Sequence, residues 1–292
     1  MGNPAELAAT DPTRRTIVIT GASDGIGAAA ARALSAFGHR VVVVGRSPEK
    51  TAKVAAEIGA DHLLADFADL AQVRTLADQL LERYPQIDVL ANNAGGVMGD
   101  RSETKDGHEK TFQVNHLAPF LLTTLLADRL TESSATVIAT ASAAHRFGKI
   151  ELDDLESTHR YKAMRAYGSA KLANILTTVE LQRRLGTGGS ELPAGRPGLT
   201  AVSIHPGVVA SQFAREGKAL TRLFYRPPFD RLLVTTEQGA DQIIWLAQGT
   251  PGVDFTPGTY YARRKPGSLS KQAKDATLAR GLWDRSAKML FG

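Results

Sequence analysis

Cysteine is absent from the 292 residues, which excludes a disulfide framework, a thiolate nucleophile and a thiolate metal site. Long apolar runs are missing too. No stretch approaches the ~20 residues of a spanning helix, and the polar start from Gly2 to Arg15 lacks a signal-peptide core. The expectation is a cytoplasmic chain without a transmembrane segment. Charge of one sign is also scarce: 35 Lys plus Arg face 30 Asp plus Glu, for a formal net charge of +5. Basic residues are interspersed with acidic ones, so nucleic-acid or anionic-membrane binding gains no support, while a basic pocket for a phosphate stays open. What remains is an ordinary globular composition, 43% apolar, on a chain long enough for a large core.

β-rich runs alternate with helical patterns from the start: Thr16 to Thr20, an Ala-rich stretch from Ile26 to Phe37, then Val41 to Val44. A continuous valine run suits a strand buried on both faces, hence a parallel sheet covered by helices. The alternation predicts helices at Pro48 to Ile58, Leu70 to Tyr84, a long one from about Glu109 to Leu130, and Ala166 to Leu185. Strands are predicted near His62 to Ala65, Ile87 to Ala91, Ala135 to Thr140 and Leu199 to His205. Strict βα order implies an α/β fold: one doubly wound parallel sheet of about seven strands, with helices on both faces. The Gly- and Pro-rich stretch Gly186 to Gly198 reads as a surface loop, so a single domain over 1–292 is expected, with its core at about 15–262.

After the first strand comes Thr20-Gly21-Ala22-Ser23-Asp24-Gly25-Ile26-Gly27, with a helix opening on its last residues. Strand, glycine turn and helix N-terminus make an anion site, because glycines let backbone approach a pyrophosphate while free N–H groups point at it. Tyr167 and Lys171 lie four apart in a helical segment, so they share one face, and an ammonium beside a phenol favours the phenolate. Ser142 falls just past the fifth strand, at the carboxyl edge where such sheets bind ligands.

The spacing TGxxxGxG, with Asn92-Asn93-Ala94-Gly95 after the fourth strand and Tyr167-Gly168-Ser169-Ala170-Lys171 opening a helix, resembles the short-chain dehydrogenase/reductase family. The resemblance covers about Arg15 to Ala262 and implies a Rossmann-type fold. It further implies an oxidoreductase that interconverts a small-molecule alcohol and a ketone or aldehyde. Tyr167 is then the proton donor and acceptor, Ser142 orients the substrate oxygen, and Lys171 lowers the tyrosine pKa and binds nicotinamide ribose. Asn115, within Val114-Asn115-His116, holds a water that passes protons towards Lys171. Cofactor contacts fall to Gly21, Ser23, Asp24, Gly25, Ile26, Gly27, Asn93, Ala94 and Gly95, to Asp66 and Phe67 as an adenine clamp, and to Pro206, Gly207 and Val209 beside the carboxamide.

At the end of the second strand, where an NAD site places a carboxylate, the chain has Gly45-Arg46-Ser47. A guanidinium pairs a 2′-phosphate that a carboxylate would repel, so NADP(H) is favoured over NAD(H). Asp24 departs from the pattern, since NADP-preferring members often carry a basic residue there. His116, His145 and His205 lack metal-site spacing, so no metal is assigned. The twenty-five residues from Ser142 to Tyr167, with His116 and Asn174 in their runs, look most like the retinol dehydrogenase and protochlorophyllide reductase branch, whose substrates are bulky and apolar. The segment 208–233, with Phe213, Leu220, Leu223, Phe224, Tyr225 and Phe229, is expected to be a substrate lid. A C-terminal helix at 272–292 reads as packing or a subunit contact, leaving a homo-oligomer open. The rival to an enzyme is a non-enzymatic NADP-binding regulator, which need not keep Ser142, Tyr167 and Lys171 together.

Overall fold

A computed structural model describes residues 14–209 and 233–292. The expected lid aromatics lie outside the described residues. The first strand, β1 (Thr16–Thr20), pairs in parallel with β2 (Arg40–Gly45) on one side and β4 (Val89–Asn92) on the other. Beyond β2 lies β3 (Asp61–Leu64); beyond β4 come β5 (Thr136–Thr140) and β6 (Thr200–His205). Two short strands complete the sheet, parallel β9 (Tyr260–Ala262) and antiparallel β10 (Lys265–Pro266), giving eight in the order β3-β2-β1-β4-β5-β6-β9-β10. Outside it, β7 (Val208–Val209) pairs with β8 (Leu233–Val234).

Side chains alternate across each strand. Ile17 and Ile19 face α1 (Gly25–Ala36), α2 (Pro48–Ile58) and α8 (Thr236–Gln248), while Val18 faces a second cluster that includes α3 (Leu70–Arg83) and α7 (Ala163–Leu185). Burial on both faces explains the valine runs. Helix ends follow local chemistry: Asp24 accepts from the Gly25 N–H, Asp69 from Ala71 and Gln72, and Thr235 with Gln238 forms a capping box.

The single long helix expected at 109–130 is instead three pieces: α4 (Lys110–Phe112), α5 (Ala118–Leu125) and α6 (Ala127–Glu132). A π turn, Gln113–Leu117, separates the first two, with the Ala118 N–H donating to the Gln113 carbonyl. Pro119 supplies the reason. It has no N–H for the Asn115 carbonyl four residues back, and its ring would crowd that carbonyl; one wider turn relieves the conflict. The C-terminal helix α9 (Ala276–Phe291) begins later than expected, behind a 3₁₀ turn at Gln272–Lys274, and Asp275 caps it. Among the described residues no helix is long and apolar enough to cross a membrane.

Candidate active site

The order in which strands are added reverses between the parallel β1 and β4: β1 continues to β2 and β3 on one side, β4 to β5 and β6 on the other. Loops leaving the two strands therefore diverge and open a crevice at their carboxyl ends, where doubly wound sheets bind ligands. One wall is the glycine loop. Gly21, at φ +65°, presses so near Ala94 that a Cβ would lie 2.8 Å from the Ala94 Cα. Asn93 pins the two loops together: its Nδ2 donates to the Thr20 carbonyl at 3.0 Å, and its N–H donates to Thr20 Oγ1 at 3.0 Å.

The residues fit a dinucleotide. Asp24 takes the Gly25 N–H of the first turn of α1. That turn carries no acidic residue, so no carboxylate within it opposes an anion at the positive end of the helix dipole. Gly45 brings the end of β2 against Ser23; a Cβ there would come within 2.8 Å of the Ser23 Cβ. Next to it, Arg46 is exposed and forms no hydrogen bond or ion pair with any described residue. Asp24, the departure noted above, is paired with Lys50 at 3.4 Å, which offsets the carboxylate's repulsion of a phosphate.

Asp66 Oδ1 accepts from the Ala68 N–H at 2.9 Å, so one carboxylate oxygen holds a turn. The Phe67 ring is buried in the core. Gly207, at φ +95°, packs on Val234, and the Val209 backbone pairs with Val234.

On the opposite wall, Ser142 caps the 3₁₀ turn Ala143–Arg146 through the Ala144 N–H at 3.2 Å, and its hydroxyl hydrogen-bonds the Tyr167 phenol. Two glycines make this contact: a Cβ on Gly168 would fall 2.6 Å from the Ala144 carbonyl oxygen, and one on Gly148 only 2.3 Å from Gly168. Neither Gly148 nor the 3₁₀ turn was foreseen from sequence; the Gly beside Tyr167 was the available signal. His145 also holds this loop, through Nδ1 on the Ser142 carbonyl at 2.7 Å and Nε2 accepting from the Ser270 N–H at 3.3 Å.

Lys171 Nζ donates to the Thr140 carbonyl at 2.8 Å and sits 5.5 Å from the centre of the Tyr167 ring. Burial pulls the Lys171 ammonium down to about 7 and pushes the Tyr167 phenol up to about 12, the Ser142 hydrogen bond opposing the second shift. The expectation that Lys171 lowers the phenol is therefore not what governs the chain alone: desolvation favours the neutral form of each group. Asn115 sits in the π turn. Its Nδ2 donates to the Gly96 and Thr111 carbonyls, both at 2.9 Å, and its Oδ1 accepts from the Gly96 N–H at 2.9 Å, so the side chain is engaged by backbone. The Asn115 carbonyl, deprived of its α-helical donor by Pro119, is the group suited to a water.

Crevice, glycine turn and Ser–Tyr–Lys group together define a dinucleotide-dependent oxidoreductase. The pattern described as short chain dehydrogenase matches residues 15–219, and the chain belongs to that family. It is 44% identical over 280 residues to a protein named as a daunorubicin C-13 ketoreductase from Streptomyces sp. (strain C5), covering 94% of this chain and 91% of that one. It is 38% identical over 287 residues to mouse retinol dehydrogenase 12, covering 94% and 86%. A crystal structure of an uncharacterised protein from Mycobacterium paratuberculosis superposes with a TM-score of 0.74 at 34% identity, covering 97% and 96%. These relatives place the chain in the retinol dehydrogenase-like branch.

Proposed function

We propose that the protein is an NADP(H)-dependent carbonyl reductase for bulky apolar ketones or aldehydes, with Tyr167 as proton donor. The observation that carries this reading is the contact of half-buried Ser142 with the buried Tyr167, one helical turn from buried Lys171, at the carboxyl edge of β5. Reduced nicotinamide supplies the hydride when bound. Ser142 orients the carbonyl oxygen, and the phenol, neutral at physiological pH, protonates it as negative charge develops. Lys171 stabilises the resulting phenolate and hydrogen-bonds ribose, while a water on the Asn115 carbonyl returns the proton. Arg46, with Lys50 against Asp24, supports a 2′-phosphate over a free ribose hydroxyl.

The names of the two sequence relatives support a large, ring-bearing substrate. The test is NADPH oxidation on a panel graded from propanal through benzaldehyde to retinal, repeated with NADH. The reading expects kcat/KM to rise with size and NADPH to outperform NADH. Equal rates with both cofactors would remove the NADP assignment; a preference for propanal would remove the bulky substrate.

A further inference from the structure

We infer that His145 is a positioning residue for Ser142, carrying to it the support of the segment 268–272 that follows β10. The inference rests on the proposed role of Ser142 in orienting the substrate oxygen. Ser142 is extended at the start of the 3₁₀ turn, and its carbonyl takes two donors from one residue: the His145 N–H at 3.1 Å and the ring Nδ1 at 2.7 Å. The first bond is ordinary for such a turn. The second ties a side chain to the peptide plane next to the carbon that bears the hydroxyl.

Both ring nitrogens are committed, and their partners dictate one tautomer. A carbonyl oxygen can only accept, so Nδ1 carries the proton; a peptide N–H can only donate, so Nε2 is the bare nitrogen that receives the Ser270 N–H at 3.3 Å. The ring is therefore neutral, which burial also favours. His145 is 0% exposed and stands edge-on to Tyr260 of β9, with ring centroids 5.2 Å apart and planes at 73°. Hydrogen bonds hold both nitrogens and an aromatic neighbour packs on the ring, so the imidazole cannot turn without losing one of these contacts.

The loop is clamped between two supports. On one side is α7, where Ser169 Oγ donates to the Lys149 carbonyl at 2.9 Å and accepts from the Lys149 N–H at 3.0 Å, beside the close approach of Gly148 to Gly168. On the other is the segment 268–272. Gln272 Oε1 accepts from the Ile150 N–H and its Nε2 donates to the Ile150 carbonyl, both at 3.0 Å, while exposed Arg146 donates to the Ser268 carbonyl at 3.3 Å. Gln272 therefore grips the loop beyond the Gly148 contact, and Arg146 from its solvent side. Among the described residues, only His145 brings the hold of this segment onto Ser142 itself. Support of the fold and aim of the hydroxyl thus run through different side chains, Gln272 and His145, and can be separated.

The experiment measures retinal reduction by the full chain with NADPH, or reduction of the best panel substrate if retinal is not turned over, and records Tm for every variant. His145→Leu removes both ring bonds. Its kcat is expected to fall roughly ten- to hundredfold with KM for NADPH nearly unchanged, because the hydroxyl meets the transition state out of place while the cofactor wall is untouched. His145→Asn keeps an amide N–H where Nδ1 stands and recovers most of the rate, whereas His145→Gln, whose amide lies at the Ser270 end, does not. Gln272→Ala loses both Ile150 bonds and lowers Tm, with kcat within about twofold of the parent. A double-mutant cycle is the deciding comparison: added to Ser142→Ala, His145→Leu lowers kcat by less than about twofold more, since its effect runs through the missing hydroxyl. Losses that multiply in the cycle, equal kcat for His145→Asn and His145→Gln, or a His145→Leu protein that keeps the parent kcat would each overturn the inference. If His145→Leu does not fold, the His145→Asn and His145→Gln comparison decides. Full activity in Ser142→Ala alone overturns the underlying role of Ser142 instead.

Discussion

Gly168→Ala probes how tightly the reacting groups depend on a backbone approach far smaller than any side chain. A methyl at Gly168 would lie 2.6 Å from the Ala144 carbonyl oxygen and 2.9 Å from Gly148 N, whereas ordinary contact begins at 3.4 Å. The loop carrying Ser142 must therefore retreat by at least 0.8 Å from the helix that carries Tyr167. Both contacts are backbone, and the loop is also tied by Ser169 Oγ to the Lys149 carbonyl at 2.9 Å, so no flexible side chain absorbs the shift. Overpacking of this kind costs roughly 1–3 kcal/mol, equivalent to a fall in Tm of about 2–8 °C. Separating Ser142 from Tyr167 by nearly an ångström costs roughly ten- to hundredfold in kcat. The assay pairs thermal unfolding with NADPH-dependent reduction of the best panel substrate, with Val54→Ala in α2 as the comparison. Val54 is 4% exposed, and losing its side chain costs roughly 1–3 kcal/mol without touching the site. A Gly168→Ala protein that loses stability like Val54→Ala but keeps its kcat would refute the argument.

Tyr167→Phe is expected to lower kcat by about 10²- to 10⁴-fold while NADPH affinity, read by fluorescence titration, changes little; turnover within threefold of the parent contradicts the assignment. Arg46→Asp should move preference from NADPH towards NADH, and unchanged selectivity in the same titration would show that another group reads the phosphate. Lys171 titrates at about 7 in the folded chain against 10.5 for a free lysine, so across that window the unfolded chain holds the extra proton. Stability without cofactor should therefore increase as pH rises from 7 towards 10.5, and Lys171→Met should remove the slope and be more stable at pH 7, by a few kcal/mol at most. Parallel Tm–pH curves for the two proteins would contradict this.

Much of the frame was legible because strands buried on both faces must be apolar throughout: Val41 to Val44 and Ile17 to Ile19 announce the sheet centre, and α2 was read to the residue. Tyr167 and Lys171 were legible because helical spacing alone puts them on one face. The edges were not. β9 and β10 have three and two residues, too few for a period, and β9 joins the sheet through contacts with β6, remote in sequence. The break at Gln113–Leu117 could have been suspected from Pro119, but a proline four residues beyond an asparagine does not by itself distinguish a kink from a helix start. Likewise Asn174 and His116 stood out only as a family likeness. His116 is held by a hydrogen-bond partner, Ser286, 170 residues further along the chain.

The two rims of the sheet end in different ways, and both discourage further strands. At one, β10 is only Lys265 and Pro266, both exposed, and proline lacks the N–H that an incoming strand would need. At the other, β3 exposes Asp61 and His62, and Asp61 is drawn into an ion pair with Arg40 and a hydrogen bond from the Tyr84 hydroxyl. An approaching segment would meet charge and an occupied carboxylate there. Open sheets risk growing into fibrils through such margins; here a rim blocked by lysine and proline and a guarded acidic one work against edge-to-edge polymerisation at high concentration.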